Sequence, residues 1–114
     1  MAAASTVEEY IGGFPPEVRV QLLRLRETIR QVVPNGVETM TDMPTIMVEG
    51  EPAIRWAAAK KNLTIHGTDA LPPALEREAV DYRYEADVLQ FPYRKGLPFE
   101  LIADVVKHLA ATRR

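Results

Sequence analysis

The side chains of this sequence with the means to do chemistry are few and widely spaced. Lys60, His66 and Gln90 are hydrogen-bonding groups set within or beside short apolar stretches. Met43, next to Pro44, and Trp56, the only tryptophan, are apolar residues of the same region. Polar groups converging on an apolar concavity are the usual form of a small-molecule site. These five residues therefore define a candidate pocket beside Met43-Pro44, with Trp56 as its wall and Lys60, His66 or Gln90 as anchors. Core packing is the alternative role for Trp56. A histidine acts as a general base or metal ligand only where partners converge on it. The other histidine, His108, follows Asp104 by four residues, which reads as a local pair on a helix surface. The sequence has no nucleophile elbow, phosphate loop or paired-histidine motif. It also has no cysteine, which excludes a disulfide framework, a thiolate-bound zinc and a cysteine nucleophile. The expectation is a protein that binds rather than an enzyme.

Charge narrows the partners. Arg19, Arg26 and Arg30 fall within about 40° of one another on a helical wheel and make a thin basic ridge. Such a ridge contacts phosphate or is simply a solvated helix face, and the second reading is the ordinary one. Tyr82, Tyr84 and Tyr93 with Arg83 and Arg94 have the types for stacking on a single strand, but in an acidic surround they suit strand packing better. The net charge of −2 gives no long-range field toward nucleic acid, so no nucleic-acid partner is expected. No apolar run approaches the roughly 20 residues that cross a bilayer. Met1-Ala2-Ala3-Ala4 lacks the basic and apolar regions of a secretory signal, so a cytoplasmic location without a membrane partner is expected.

At 114 residues the chain matches one domain, 1–114 with a core of about 7–110, able to bury roughly two-thirds of its unfolded surface. Its apolar share of 46% and charged share of 26% place it among ordinary globular domains rather than disordered chains. Val37 to Thr41, Thr45 to Val48, Ala53 to Ala58 and Leu63 to His66 are too short for helices and rich in β-formers, so they read as an antiparallel meander. Gly50-Glu51-Pro52 and Lys60-Lys61-Asn62 are its breaks. Proline cannot donate to a ladder, so Met43-Pro44 belongs at a bulge, a turn or an edge.

Helices flank the meander. Ser5 and Thr6 cap a short one that stops at Gly12-Gly13. From Pro15-Pro16-Glu17, the spacing of Val18, Leu22, Leu25, Ile29 and Val32 predicts a long core-facing helix ended by Pro34-Asn35-Gly36. Pro72-Pro73 opens a third over Ala74 to Val80, and Val88 to Pro92 is a final strand. After Gly96-Leu97-Pro98, the positions of Phe99, Ile102, Val106 and Leu109 predict a last helix, with Arg113 and Arg114 at its end. The fold class is α+β: a two-layer sandwich of an antiparallel sheet of about four to five strands, with the N- and C-terminal helices on one face.

Several of these stretches occur together in a known family. Val7-Glu8-Glu9-Tyr10-Ile11 followed by Phe14-Pro15-Pro16-Glu17-Val18, the Met43-Pro44 dipeptide, Trp56-Ala57-Ala58-Ala59-Lys60-Lys61-Asn62, Leu89-Gln90-Phe91-Pro92 and Leu97-Pro98 with Leu101-Ile102 resemble the YdhG-like family. That is a family of small bacterial domains of unknown function, some of whose members are described as frataxin-like iron chaperones. The resemblance runs from about Val7 to Leu109 in the family's order. It implies a frataxin-like layered domain and, by analogy, an iron-binding chaperone. Glu8, Glu9 and Glu17 are then the carboxylates for the metal, since hard iron ions favour oxygen donors. Glu8 and Glu9 are equally explained as first-turn residues favoured by the helix dipole. A small-molecule binding module and a protein-interaction domain that uses a sheet face or edge are the alternatives.

Overall fold

The computed structural model describes residues 4–112; the expectations for Met1 to Ala3 and for Arg113 and Arg114 lie outside them. A six-residue helix, α1 (Val7–Gly12), is fixed at its start by hydrogen bonds that the sequence announces. Thr6 Oγ1 accepts from Glu9 N at 3.1 Å, and the Glu9 carboxylate accepts from Ser5 N and Ser5 Oγ at 2.9 and 2.8 Å. Helix α2 (Pro16–Val32) begins with proline in its first turn and buries Val18, Leu22, Leu25 and Ile29 on one stripe.

Four strands follow as a meander: β1 (Val37–Met40), β2 (Pro44–Val48), β3 (Glu51–Ala58) and β4 (Asn62–His66). Helix α3 (Pro73–Ala79), the short β5 (Arg83–Glu85), β6 (Val88–Pro92) and helix α4 (Phe99–Ala111) complete the chain. All pairings are antiparallel and the strand order is β1-β2-β3-β4-β6-β5. The sheet thus has six strands rather than four to five, the addition being β5. At three residues β5 shows no alternation of its own, and only its ladder with β6 makes it a strand.

Register decides which side chains meet the helices. Ile46 opposes Ile54, Trp56 opposes Ile65, Ile65 opposes Leu89 and Leu63 opposes Phe91, so these residues share one face. That face forms a single core with Val7 and Ile11 of α1, the α2 stripe, and Ile102, Val105, Val106 and Leu109 of α4. The other face carries Arg55, Ala57, Thr64, His66 and Gln90, which are exposed or half-buried. Met43 ends the β1–β2 turn and Pro44 is the first residue of β2, paired with Met40. The bulge lies just beyond, between Ile46 and Met47, where Pro52 enters the neighbouring strand. None of the described helices is long and apolar enough to cross a membrane.

Arginines from the predicted basic ridge tie the layers together. Arg26, only 13% exposed, donates to Glu38 of β1 through Nε at 2.9 Å and Nη2 at 2.6 Å, and to Glu8 of α1 at 3.0 Å. Arg30 stands 3.9 Å from Glu38, and Arg19 donates to Phe14 O at 3.1 Å. The ridge is therefore neither a simple solvated face nor a phosphate track at its centre.

Candidate functional site

The five residues expected around one pocket occupy separate parts of the fold. Trp56 is 1% exposed on the core face of β3, edge-on to Tyr10 at 5.8 Å between ring centroids. Tyr10 in turn bridges the end of β3, donating to Ala58 O at 3.2 Å and accepting from Ala58 N at 2.9 Å. Trp56 is thus core rather than pocket wall, because Tyr10 of α1 closes over it. Met43 sits half-buried in the β1–β2 turn, and its carbonyl accepts from Thr41 and Thr45. Gln90 lies on the opposite sheet face, beside Thr64. Lys60 and His66 flank β4 at opposite ends, and each lines a different cavity.

The three glutamates also part company. Glu8 is held by Arg26, whose hydrogen bond, with the nearby charge, lowers the Glu8 pKa from its usual 4.5. Glu9 is lowered likewise, first by the Ser5 backbone N–H and then by the Ser5 hydroxyl. Glu17 lies beside Lys60, Lys61 and Arg94. Among the described residues, no group of three or more histidines, cysteines or carboxylates is placed to hold a metal ion.

One cavity, of about 410 Å³, opens where β3 starts and β4 ends. It brings together two histidines that their sequence positions keep apart: His66 and His108, with Arg55, Asp69 and Asp87. His108 does not form the expected local pair with Asp104. Its Nε2 meets Ala70 O at 3.3 Å, a contact in which the carbonyl accepts. His66 Nε2 is 3.1 Å from Thr64 Oγ1, and Arg55 is drawn away to Asp42 at 3.1 Å. The polar groups of this cavity are thus largely engaged with the protein.

A second cavity is a cleft of about 670 Å³ at the opposite end of β4. The first turn and a half of α2 supplies Glu17, Val18 and Gln21; the β3–β4 turn supplies Lys60, Lys61 and Asn62; the end of β6 supplies Pro92, Tyr93 and Arg94. Its frame is fixed by backbone bonds. Tyr93 N donates to Lys61 O at 3.1 Å, and Ala59 N donates to Asn62 O at 2.8 Å across the turn. Gln21 clamps the third wall, donating to Tyr93 O at 3.0 Å and accepting from Leu97 N at 2.8 Å. Tyr93 is 7% exposed, and its phenol oxygen is buried with no hydrogen-bond partner among the described residues. Burial, with Tyr10 nearby, pushes its pKa from 10.0 up to about 12; the Ala59 N–H acts in the opposite direction but is spent on Asn62.

Of the residues in this cleft, Lys60 and Glu17 are among the expected ligand or metal residues, Tyr93 and Arg94 are read from the sequence only as members of a stacking patch, and Gln21 carries no functional reading there. Lys61 was visible only as part of a strand break, and Arg94 as a neighbour of tyrosines. Their convergence depends on the ladder that places Asn62 opposite Pro92.

No family model matches this chain, and the comparison with curated proteins found no match. Among solved structures, the crystal structure of a Bacillus subtilis protein of the DUF1801 family, YdhG, is similar to it with a TM-score of 0.78 and 19% identity, over 90% of this chain and 86% of that one. The fold is YdhG-like. At that identity the likeness concerns architecture. Phe14-Pro15-Pro16 starts α2, Met43-Pro44 leads into β2, and the Trp56 to Asn62 run is the end of β3 with its turn. In this YdhG-like fold they are packing and turn features. Two of them, the start of α2 and the Lys60-Lys61-Asn62 turn, also form walls of the larger cleft.

Proposed function

We propose that this chain is a non-enzymatic, cytoplasmic binding domain that holds a small molecule in the cleft between the start of α2, the β3–β4 turn and Tyr93-Arg94. One observation carries this reading. Lys60, Lys61 and Arg94, none in an ion pair with a described residue, meet the apolar Val18 and Pro92 in a concavity of about 670 Å³ with hydrogen-bonded walls. That size and mixture are typical of a ligand site. The site keeps Lys60 from the expected pocket and moves it away from Trp56, which the core absorbs.

Binding is favoured over catalysis by the state of the charged groups. Lys60, Lys61 and Arg94 are exposed, whereas catalytic acids and bases are commonly desolvated to shift their proton affinity. Iron delivery, which the family resemblance implies, gains no support from Glu8 and Glu9, whose carboxylates are bonded to Arg26 and Ser5. Protein docking by strand addition has little template, since the edge strands β1 and β5 are four and three residues long.

The test is a residue-resolved NMR titration of the full chain with carboxylates, phosphate esters, amines and neutral aromatics, and separately with ferrous iron. Saturable shifts at the amides of Lys60, Lys61, Asn62 and Arg94 are expected from at least one compound. A panel that leaves those amides unmoved at millimolar concentration counts against the cleft, and iron-dependent shifts at Glu8, Glu9 and Glu17 would favour iron instead.

A further inference from the structure

The charge distribution around the cleft goes further than the presence of a ligand. Three cations face a single carboxylate, Glu17, in a chain whose net charge is −2. Elsewhere four arginines are held in ion pairs: Arg26 and Arg30 meet Glu38, Arg55 meets Asp42, and Arg83 meets Glu76. Lys60, Lys61 and Arg94 have no such partner among the described residues, so their charges can gather on an incoming anion without breaking an existing ion pair. Two of them are adjacent on a turn closed by the Ala59 N to Asn62 O bond, and that turn is joined to Tyr93, the neighbour of Arg94, by the Tyr93 N to Lys61 O bond. The cationic side chains are therefore exposed and carried on a hydrogen-bonded backbone.

We propose that the cleft takes a phosphomonoester-type dianion carried on a small apolar body. This rests on the reading of the cleft as a ligand site and names the chemistry of what it holds. Lys60 and Lys61 supply ammonium donors and Arg94 a planar fork, the combination that suits a doubly charged, oxygen-rich head group. Val18 and Pro92 offer the apolar body a wall. The α2 N-terminus, without a side-chain cap, adds a favourable but minor dipole at the same wall, partly offset by Glu17. Concavity sets the scale: three cations in one cleft suit a single head group, while a nucleic-acid strand is held by a basic track along many phosphates.

The experiment titrates the labelled full chain with phenyl phosphate, with phenol, and with a short single-stranded DNA, each at low and at high salt. Phenyl phosphate is expected to shift the amides of Lys60, Lys61, Asn62 and Arg94 saturably, with affinity falling as salt rises. Replacing Lys60→Gln or Arg94→Gln should each weaken it about tenfold, the loss of roughly one charge-assisted hydrogen bond. Lys107→Gln, on α4 outside the cleft, should leave it unchanged. All three positions are exposed, and matched thermal melts confirm that the variants remain folded. Equal binding of phenol at the same amides overturns the dianion while leaving the cleft as a ligand site. Tighter binding of the DNA, with shifts spreading beyond the cleft, overturns the small ligand. Silence of the cleft amides toward phenyl phosphate and phenol, together with the wider compound panel, overturns the site itself.

Discussion

At the scale of single residues, the groups that look most chemical in the sequence are mostly engaged by the protein, and the cleft is marked by those that are not. Trp56 and Tyr93 illustrate how burial decides this. Trp56 disappears beneath Tyr10, while Tyr93 turns its backbone toward the cleft wall, bonded to Lys61 and Gln21, and buries its phenol. The buried phenol has a measurable consequence. With its pKa raised from 10.0 to about 12, the folded chain retains a proton that the unfolded chain releases. The sign follows from linkage: this contribution to stability is complete below pH 10 and is lost as pH rises toward 12. Urea midpoints for the wild type should fall across that interval, and Tyr93→Phe should lessen the fall. The same substitution should delete a late rise in tyrosinate absorbance near pH 12. If the absorbance lost in Tyr93→Phe is the part that rises near pH 10 rather than near 12, the phenol is not held as the structure places it.

At the scale of elements, the joints are more informative than the rods. Gly36 ends the link from α2 to β1, and a Cβ added there would lie 2.6 Å from Ile46 Cγ2 and 3.1 Å from Val33 Cγ1. Ile46 is β-branched and buried in the core, so it cannot swing aside. Gly36→Ala is therefore expected to destabilise the protein by about 1–3 kcal/mol, the usual range for overpacking, read from chemical denaturation. Gly12→Ala, where an added Cβ meets nothing within 4 Å, is the control and should change little. The rods themselves are legible: the 3.6-residue spacing from Val18 to Val32 and from Phe99 to Leu109 predicts α2 and α4 close to their observed limits, with Val32 and Phe99 only half-buried. The meander was legible because turn residues divide it at Lys60-Lys61. β5 was not, because three residues carry no period. The cleft was also hidden, since it requires Glu17, Lys61 and Arg94, far apart in sequence, to be brought together by α2 packing and the β4–β6 ladder. Local pattern has no access to that geometry.

At the scale of the whole molecule, one of the carboxylates read from the sequence as metal donors, Glu8, helps to hold separate elements in place. Glu8 joins α1 to Arg26 of α2, and Arg26 continues to Glu38 of β1, so one guanidinium spans three elements. The Arg26 pKa is raised, chiefly by its hydrogen bond to Glu38, which keeps the cation in place. On the sheet, the Asp42 pKa is depressed from 3.8, first by the Thr41 hydroxyl and then by Arg55. Glu8 and Glu9 are depressed from 4.5, by Arg26 and by Ser5 respectively. For groups whose folded pKa is lowered, the stabilisation is present above the unfolded value and disappears as pH falls through the folded one. Stability should therefore hold near neutrality and decline once pH drops below about 4.5, the ordinary carboxylate range. Glu8→Gln should flatten part of that decline, and adding salt should flatten it less than it would for a wholly exposed pair, because Arg26 is largely buried. Urea midpoints taken from pH 7 down to pH 3 decide the matter. A wild-type profile that stays level across the acid range, or a Glu8→Gln profile that matches it point for point, would mean that Arg26 is held by Glu38 alone and that Glu8 remains available for another role.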